Sequence, residues 1–222
     1  QASTSEIYGD NDNIPQNENT ICIPNSPYAV AKLYAYHITN SYKTAYNIFS
    51  CNGILFNHES PRRGHNFITR KITRAVASIK YKKQECLYLG NLDSKRDWGH
   101  AKDYVYGMWL MLQQQKPDNY VLSTGQQHTV RYFVERAFRI IDIDIIWEGS
   151  GLNEVGLDRV SKQIYVRVSQ KYFRPNEVGN LLGDSTKARE KLGWNHTYDF
   201  DDIVQEMVQF DLECEFKETN IV

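Results

Sequence analysis

The chain has 222 residues, room for one large domain or two small ones, and its 41% hydrophobic content predicts a packed core. Twenty-six basic residues against 27 acidic ones leave a net charge of −1. No global positive field therefore points to nucleic acid, and an anionic ligand must be met by a local cluster of cations. The longest apolar runs are far too short to span a bilayer, no secretory leader is recognisable, and no membrane association is expected.

The chain opens on Gln1-Ala2-Ser3-Thr4-Ser5-Glu6 without an initiator methionine. It reads as the inside of an element, so a fragment of a longer protein is expected. If Ala2 to Gly9 is a strand end, Thr4 and Glu6 point to one side. Ser26 is a good N-cap and Pro27 suits the first helical position, which predicts a helix running to about Tyr46 with Asn47 as its stop. "IFSCNGILFN" (Ile48–Asn57) predicts a short buried strand, and Pro61 and Gly64 mark a loop over Glu59–Asn66. Ile68, Ile72, Val76 and Ile79 recur at helical spacing, giving an amphipathic helix over Phe67–Lys82 with a basic outer face. Then follow a strand in "CLYLGN", a helix in "HAKDYVYGMWLMLQQQ" and a strand in "YVLSTG". Thr129 caps a further amphipathic helix. "IDIIWEG" and "QIYVRV" read as strands, "DSTKAREKLGW" as a short helix stopped by Gly193, and "FDDIVQEMVQFDLECEF" as a closing helix.

This order predicts an α/β fold: the C-terminal part of a Rossmann-type parallel sheet plus a smaller α+β substrate-binding lobe. Residues 1–125 are expected mostly in the Rossmann part, with 60–95 contributing to the second lobe, and 126–222 mostly in that lobe. No G-x-x-G-x-x-G occurs, so the glycine turn that seats a dinucleotide pyrophosphate is not in the sequence. Cysteines 22, 51, 86 and 214 form no C-x-x-C pair and no zinc spacing with a histidine. Free thiols in a reducing compartment, the cytoplasm, are expected. His100 and Asp103 stand three apart, but no further ligand converges on them and no metal is expected.

Tyr28 and Lys32 are four apart and share a helix face. A free tyrosine titrates near 10, too high for a good base at neutral pH, and a nearby ammonium favours the phenolate. Y-x-x-x-K is thus a sensible general base, although a solvated helix face is the plainer explanation of the pair alone. Thr4 and Glu6 would add a hydroxyl and a carboxylate at a sheet's C-terminal edge, where open α/β sheets bind ligands. "SPRRG" offers two guanidiniums suited to phosphate.

A strand-end hydroxyl followed by S-P-Y-x-x-x-K opening a helix resembles the extended short-chain dehydrogenase/reductase superfamily. "STSEIYG", "SPYAVAKLYAY", "FNHESPRRG" and "KRDWGHAKDY" together resemble the GDP-mannose 4,6-dehydratase family within it, from Gln1 to about Phe210. That resemblance implies an NADP-dependent enzyme acting on GDP-mannose, a homo-oligomer (dimer or tetramer), and a family N-terminal half that this sequence lacks. It implies Thr4, Glu6, Tyr28 and Lys32 as catalytic residues, and Tyr28, Lys32, His58 and Arg63 at the cofactor. Asn57, Lys71, Arg96, Arg174 and Glu177 would meet the substrate. An epimerase that only oxidises and re-reduces C4 needs no acid two residues beyond the hydroxyl, whereas a dehydratase needs a base for C5, so Glu6 favours elimination. The competing readings are a nucleotide-sugar 4-epimerase or 4-keto reductase of the same superfamily, and a non-catalytic nucleotide-sugar-binding module. Without the glycine turn, the 222 residues alone are expected to bind NADP poorly and not to turn over.

Overall fold

The computed structural model describes residues 1–11, 13–173 and 180–219; Arg174 and Glu177 lie outside them. In chain order the first half comprises β1 (Ala2–Thr4), a 3-10 turn (Ser5–Tyr8), α1 (Pro27–Tyr46), β2 (Gly53–Leu55), β3 (Asn57–Glu59), α2 (Ile68–Lys80), β4 (Leu87–Leu89), β5 (Lys95–Arg96), β6 (Trp98–His100) and α3 (Ala101–Leu112). The second comprises β7 (Tyr120–Leu122), β8 (His128–Thr129), α4 (Val130–Arg139), β9 (Ile145–Glu148), β10 (Val155–Asp158), β11 (Ile164–Val168), β12 (Asn180–Leu181), α5 (Thr186–Leu192) and α6 (Phe200–Thr219).

The chain divides into two compact units. The first takes Gln1–His58, Lys95–His128 and Asn176–Asp199; the second takes Glu59–Ser94, Thr129–Pro175 and Phe200–Val222. Sequence order alone assigned everything after 126 mostly to the second lobe, whereas 176–199 falls in the first unit. The reason is local: α5 packs on β7 and α3 there, and Trp194 is buried with its indole N–H donating to the Asp103 carbonyl at 2.7 Å.

The first unit is built on a parallel sheet in the order β1-β2-β7, with Thr4 opposite Leu55 and Leu55 opposite Leu122. All of β2 and β7 is buried, as expected of a parallel sheet covered on both faces. Ile54, Leu55, Phe56, Val121 and Leu122 form its core with Tyr104, Met111 and Trp194. Ile48 and Phe49 are exposed, so the strand expected from Ile48 is confined to its last residues. Two small sheets pair in the orders β3-β6 and β12-β5-β8.

The second unit holds a mixed sheet in the order β4-β11-β10-β9, against which α4 packs through β9. Helices α2, α4 and α6 pack on one another, burying Ile72, Val76, Phe133, Phe138, Ile203 and Met207. Strand β10 was not foreseen. "VGLD" is short and lacks clear alternation, and it is a strand because β9 and β11 pair with it on both sides. At the centre of the helical layer Arg70 pairs with Asp211 at 2.6 Å, and the Thr73 hydroxyl donates to the same carboxylate at 2.7 Å. Both charges are nearly fully buried, so each depends on the other for compensation.

Candidate active site

The first unit holds Thr4, Glu6, Tyr28 and Lys32, and helix α1, which carries the last two, packs on β1 and on the turn that follows it. The strand stops at Thr4, earlier than the sequence suggested, and the chain turns at once into the 3-10 helix. Strand periodicity therefore does not relate Thr4 to Glu6. Instead the Thr4 hydroxyl caps the turn, accepting from the Glu6 backbone N–H at 3.3 Å. Ile7 and Tyr8 are buried and anchor the turn, while Glu6 is half-buried. Tyr8 donates its hydroxyl to the Asn17 carbonyl at 2.7 Å, and burial raises its pKa further above the ordinary tyrosine value. Gly9 closes the turn at φ 60°, where a Cβ would meet the Ile23 carbonyl oxygen at 1.8 Å. No other residue fits that position.

Helix α1 delivers the tyrosine and lysine. The Ser26 hydroxyl accepts from the Ala29 N–H at 3.1 Å and Pro27 fills the first position, so Tyr28 stands in the first turn. The helix packs on β1 and on the 3-10 turn. Tyr28 is 51% exposed, its ring open to a ligand. Lys32 donates to the Ala2 carbonyl at 2.9 Å and its Nζ lies 5.8 Å from the Tyr28 ring centroid. That carbonyl, which fixes the ammonium to the strand carrying Thr4, could not be named from sequence, because only the α1–β1 packing brings it there.

Asn57 and His58 follow β2, next to Thr4 through the β1–β2 register. The His58 Nδ1 lies 2.9 Å from the Phe56 carbonyl, which can only accept, so Nδ1 carries the proton in the neutral ring. The imidazole stacks on Tyr104 at 4.9 Å and 23°. Arg96 ends β5 and donates to the Lys95 carbonyl at 2.7 Å. Its neighbour Asp97, absent from the sequence reading, is fully buried and accepts from Thr124 N–H and hydroxyl, Gly125 N–H and Gly183 N–H at 2.7–3.3 Å. Burial pushes its carboxyl up, against the pull of these donors. It fixes the backbone beside Arg96. His100 is structural as well, since its Nδ1 accepts from the Lys102 N–H at 3.1 Å and caps α3.

Arg63 and Lys71 belong to the second unit. The Arg63 guanidinium lies 3.7 Å from the Phe67 ring centroid, and its Nε is 3.1 Å from Glu59. Lys71 donates to the Tyr88 carbonyl, and its ammonium lies 3.2 Å from the Tyr172 ring centroid. Burial lowers its pKa, with Lys171 adding to the effect. Together with His65, Arg74, Tyr88 and Tyr172 it lines a cavity of about 250 Å³. Here the basic face of α2 meets aromatic rings around a concavity. All four cysteines are free thiols, and no helix is long and apolar enough to cross a membrane among the described residues.

The family model described as GDP-mannose 4,6 dehydratase matches residues 1–207. The GDP-mannose 4,6 dehydratases of Drosophila melanogaster and Homo sapiens are 55% and 56% identical over 213 residues, covering 96% of this chain and 54% and 57% of their own lengths. That of Sinorhizobium fredii is 57% identical over 212 residues, 96% of this chain and 60% of its own. The chain thus spans little more than half the length of these relatives. Among solved structures, RMD from Pseudomonas aeruginosa complexed with NADPH superposes with a TM-score of 0.80 at 18% identity, over 96% of this chain and 65% of that one. The dTDP-glucose 4,6-dehydratase of Bacillus anthracis in complex with NAD gives 0.75 at 20%, over 99% and 61%. These structural likenesses establish the Rossmann-type fold alone. The sequence matches go further: this chain belongs to the GDP-mannose 4,6-dehydratase family.

Proposed function

We propose that the full-length protein is a GDP-mannose 4,6-dehydratase that converts GDP-mannose to GDP-4-keto-6-deoxymannose with NADP. The observation that carries this reading is the turn at the end of β1. Thr4 caps it, Glu6 follows within it, and α1 brings Tyr28 and Lys32 alongside. A carboxylate two residues beyond the strand-end hydroxyl offers the C5 base that elimination requires and simple oxidation does not.

Tyr28 accepts the proton of the sugar C4 hydroxyl, and Thr4 orients that oxygen. Lys32, tied to the Ala2 carbonyl, supplies a fixed positive charge beside the phenol. Glu6 takes the proton from C5 and delivers one to the departing C6 hydroxyl, which leaves as water. When bound, the nicotinamide would supply the hydride acceptor for C4 and return the hydride at C6, while a proton goes back to C5, balancing the one Tyr28 took from the C4 hydroxyl. The donor set supports NADP: the phenol and ammonium of the first unit suit ribose hydroxyls, and the Arg63 guanidinium suits phosphate; His58 keeps the cofactor role that the resemblance implies. Asn57 and Arg96 are assigned to the sugar nucleotide. Lys71 is assigned to its nucleotide end, supported by the cationic and aromatic lining of its cavity. Arg174 and Glu177 keep the substrate roles that the resemblance implies.

The protein is further proposed to be a homo-oligomer and, on its four free thiols, cytoplasmic. Supporting association, α1 buries only Ala29 and exposes Val30, Tyr34, Ile38 and Tyr42 at four-residue spacing. The deciding experiment incubates the full-length protein with GDP-mannose and NADP and follows the product by mass spectrometry. Loss of one water is the expected result; a product that keeps its 6-hydroxyl refutes the dehydratase.

A further inference from the structure

Glu59 has no place in the chemistry above, yet it is a deeply buried carboxylate paired with Arg63, the cofactor-assigned cation of the second unit. Its side chain is 2% exposed. It ends β3, immediately before the loop that carries Arg62, Arg63 and Gly64. One oxygen, Oε2, takes two partners. The Thr69 hydroxyl, from the first turn of α2, donates to it at 2.6 Å. The Arg63 Nε lies 3.1 Å away, an ion-pair contact without hydrogen-bond alignment.

This carboxylate therefore joins the two ends of the loop and holds the guanidinium from one side. The Phe67 ring holds it from another, 3.7 Å from the guanidinium carbon. Gly64 allows the close approach, since a Cβ there would meet Phe67 ring carbons at 3.2 Å. The turn is closed by Arg63 N–H to the Ser60 carbonyl at 2.9 Å and Phe67 N–H to the Gly64 carbonyl at 3.1 Å. Among the described residues no acceptor takes the Arg63 Nη groups, and the side chain stays 21% exposed. The guanidinium is fixed at its stem and face and open at its outer edge, the edge that forks a phosphate.

The geometry points to Glu59 as a positioning residue that acts through Arg63, holding the guanidinium over Phe67 so that its outer edge is preformed for a phosphate of the nicotinamide cofactor. The advantage is entropic: an arginine ordered before binding does not have to give up its rotamers when the anion arrives. This rests on the assignment of Arg63 to NADP made above, and the test separates the two.

The first measurement is made on the full-length protein without cofactor at pH 8, by 15N relaxation of arginine Nε–H groups. The Arg63 vector is expected to be as ordered as the backbone, with an order parameter of about 0.85, falling below about 0.6 in Glu59→Gln. Unchanged order in that variant overturns the inference. Thr69→Val, which keeps the charge and removes the hydroxyl that holds it, serves if Glu59→Gln does not fold; it too must loosen Arg63. The second measurement is the Kd for NADPH. Glu59→Gln should bind about tenfold more weakly, and should add nothing in an Arg63→Ala background. A purely structural Glu59 gives additive losses, and that result overturns the inference. If wild-type protein does not bind NADPH, the cofactor assignment fails, while the relaxation measurement still decides whether Glu59 orders Arg63.

Discussion

Glu6 sits between Ser5 and Ile7 in a turn anchored by buried neighbours, so exchanging its carboxylate for an amide changes charge and proton affinity with little change of packing. Glu6→Gln is expected to lower dehydratase turnover by about 10²- to 10⁴-fold, the range of a lost general acid–base group, with GDP-mannose affinity unchanged by calorimetry. Turnover near wild type would remove Glu6 from the C5 step. Glu59 makes a different prediction. Burial pushes its pKa up to about 7, with Arg63 and Thr69 pulling the other way. A carboxyl raised in the folded state binds more protons folded than unfolded between its unfolded value near 4.5 and about 7. Its contribution to stability is therefore complete below about 4.5 and is lost as pH rises to 7. Over that window Glu59→Gln should remove a decline in unfolding free energy on the order of 3 kcal/mol, read from urea titrations at several pH values. A pH slope identical to wild type would contradict this. Neither Glu59 nor Asp97 was legible as a buried group: both stand in charged, loop-like sequence, and their partners, Thr69 for one and Gly183 for the other, are supplied by other segments.

At the scale of elements, the helices were legible because their signals are local. Ser26 and Thr129 are N-caps by residue type and position, and both hydroxyls accept from the backbone N–H three residues on. Gly193 is the expected stop and takes φ 66° at the end of α5. Since α1 buries only Ala29, its first turn leans on the cap. Ser26→Ala should cost about 1 kcal/mol of stability and lower the melting temperature, with a matching loss of turnover because Tyr28 sits in that turn. A wild-type melting temperature would show the cap to be dispensable. Arg70 and Asp211, 141 positions apart, were not legible as a pair. Asp211→Ala leaves a buried guanidinium uncompensated and should destabilise by about 3–5 kcal/mol in denaturant unfolding. A loss below about 1 kcal/mol would mean that solvent reaches Arg70. The short strands β3, β5, β8, β10 and β12 were missed for the opposite reason. Two to four residues carry no period, and pairing alone makes them strands.

At the scale of the molecule, the apolar stripe on α1 predicts association through that helix if the protein is a homo-oligomer. Ile38→Glu places a charge in the middle of the stripe, at a position already 39% exposed, so the fold should tolerate it. The sedimentation mass of the full-length protein is then expected to fall to a smaller species; an unchanged mass would mean that α1 is not the associating surface.

The sequence by itself determined the α/β class, most helix starts and stops, and the family. These depend on residue type and on spacings of a few positions, which the chain carries wherever it folds. Tertiary structure decided the rest. It ended β1 at Thr4 and set Glu6 in a turn, tied Lys32 to the Ala2 carbonyl, and returned 176–199 to the first unit. It also placed Arg63 between Glu59 and Phe67. Each of these depends on burial, or on a partner brought within hydrogen-bond reach by packing, and neither is encoded in spacing along the chain.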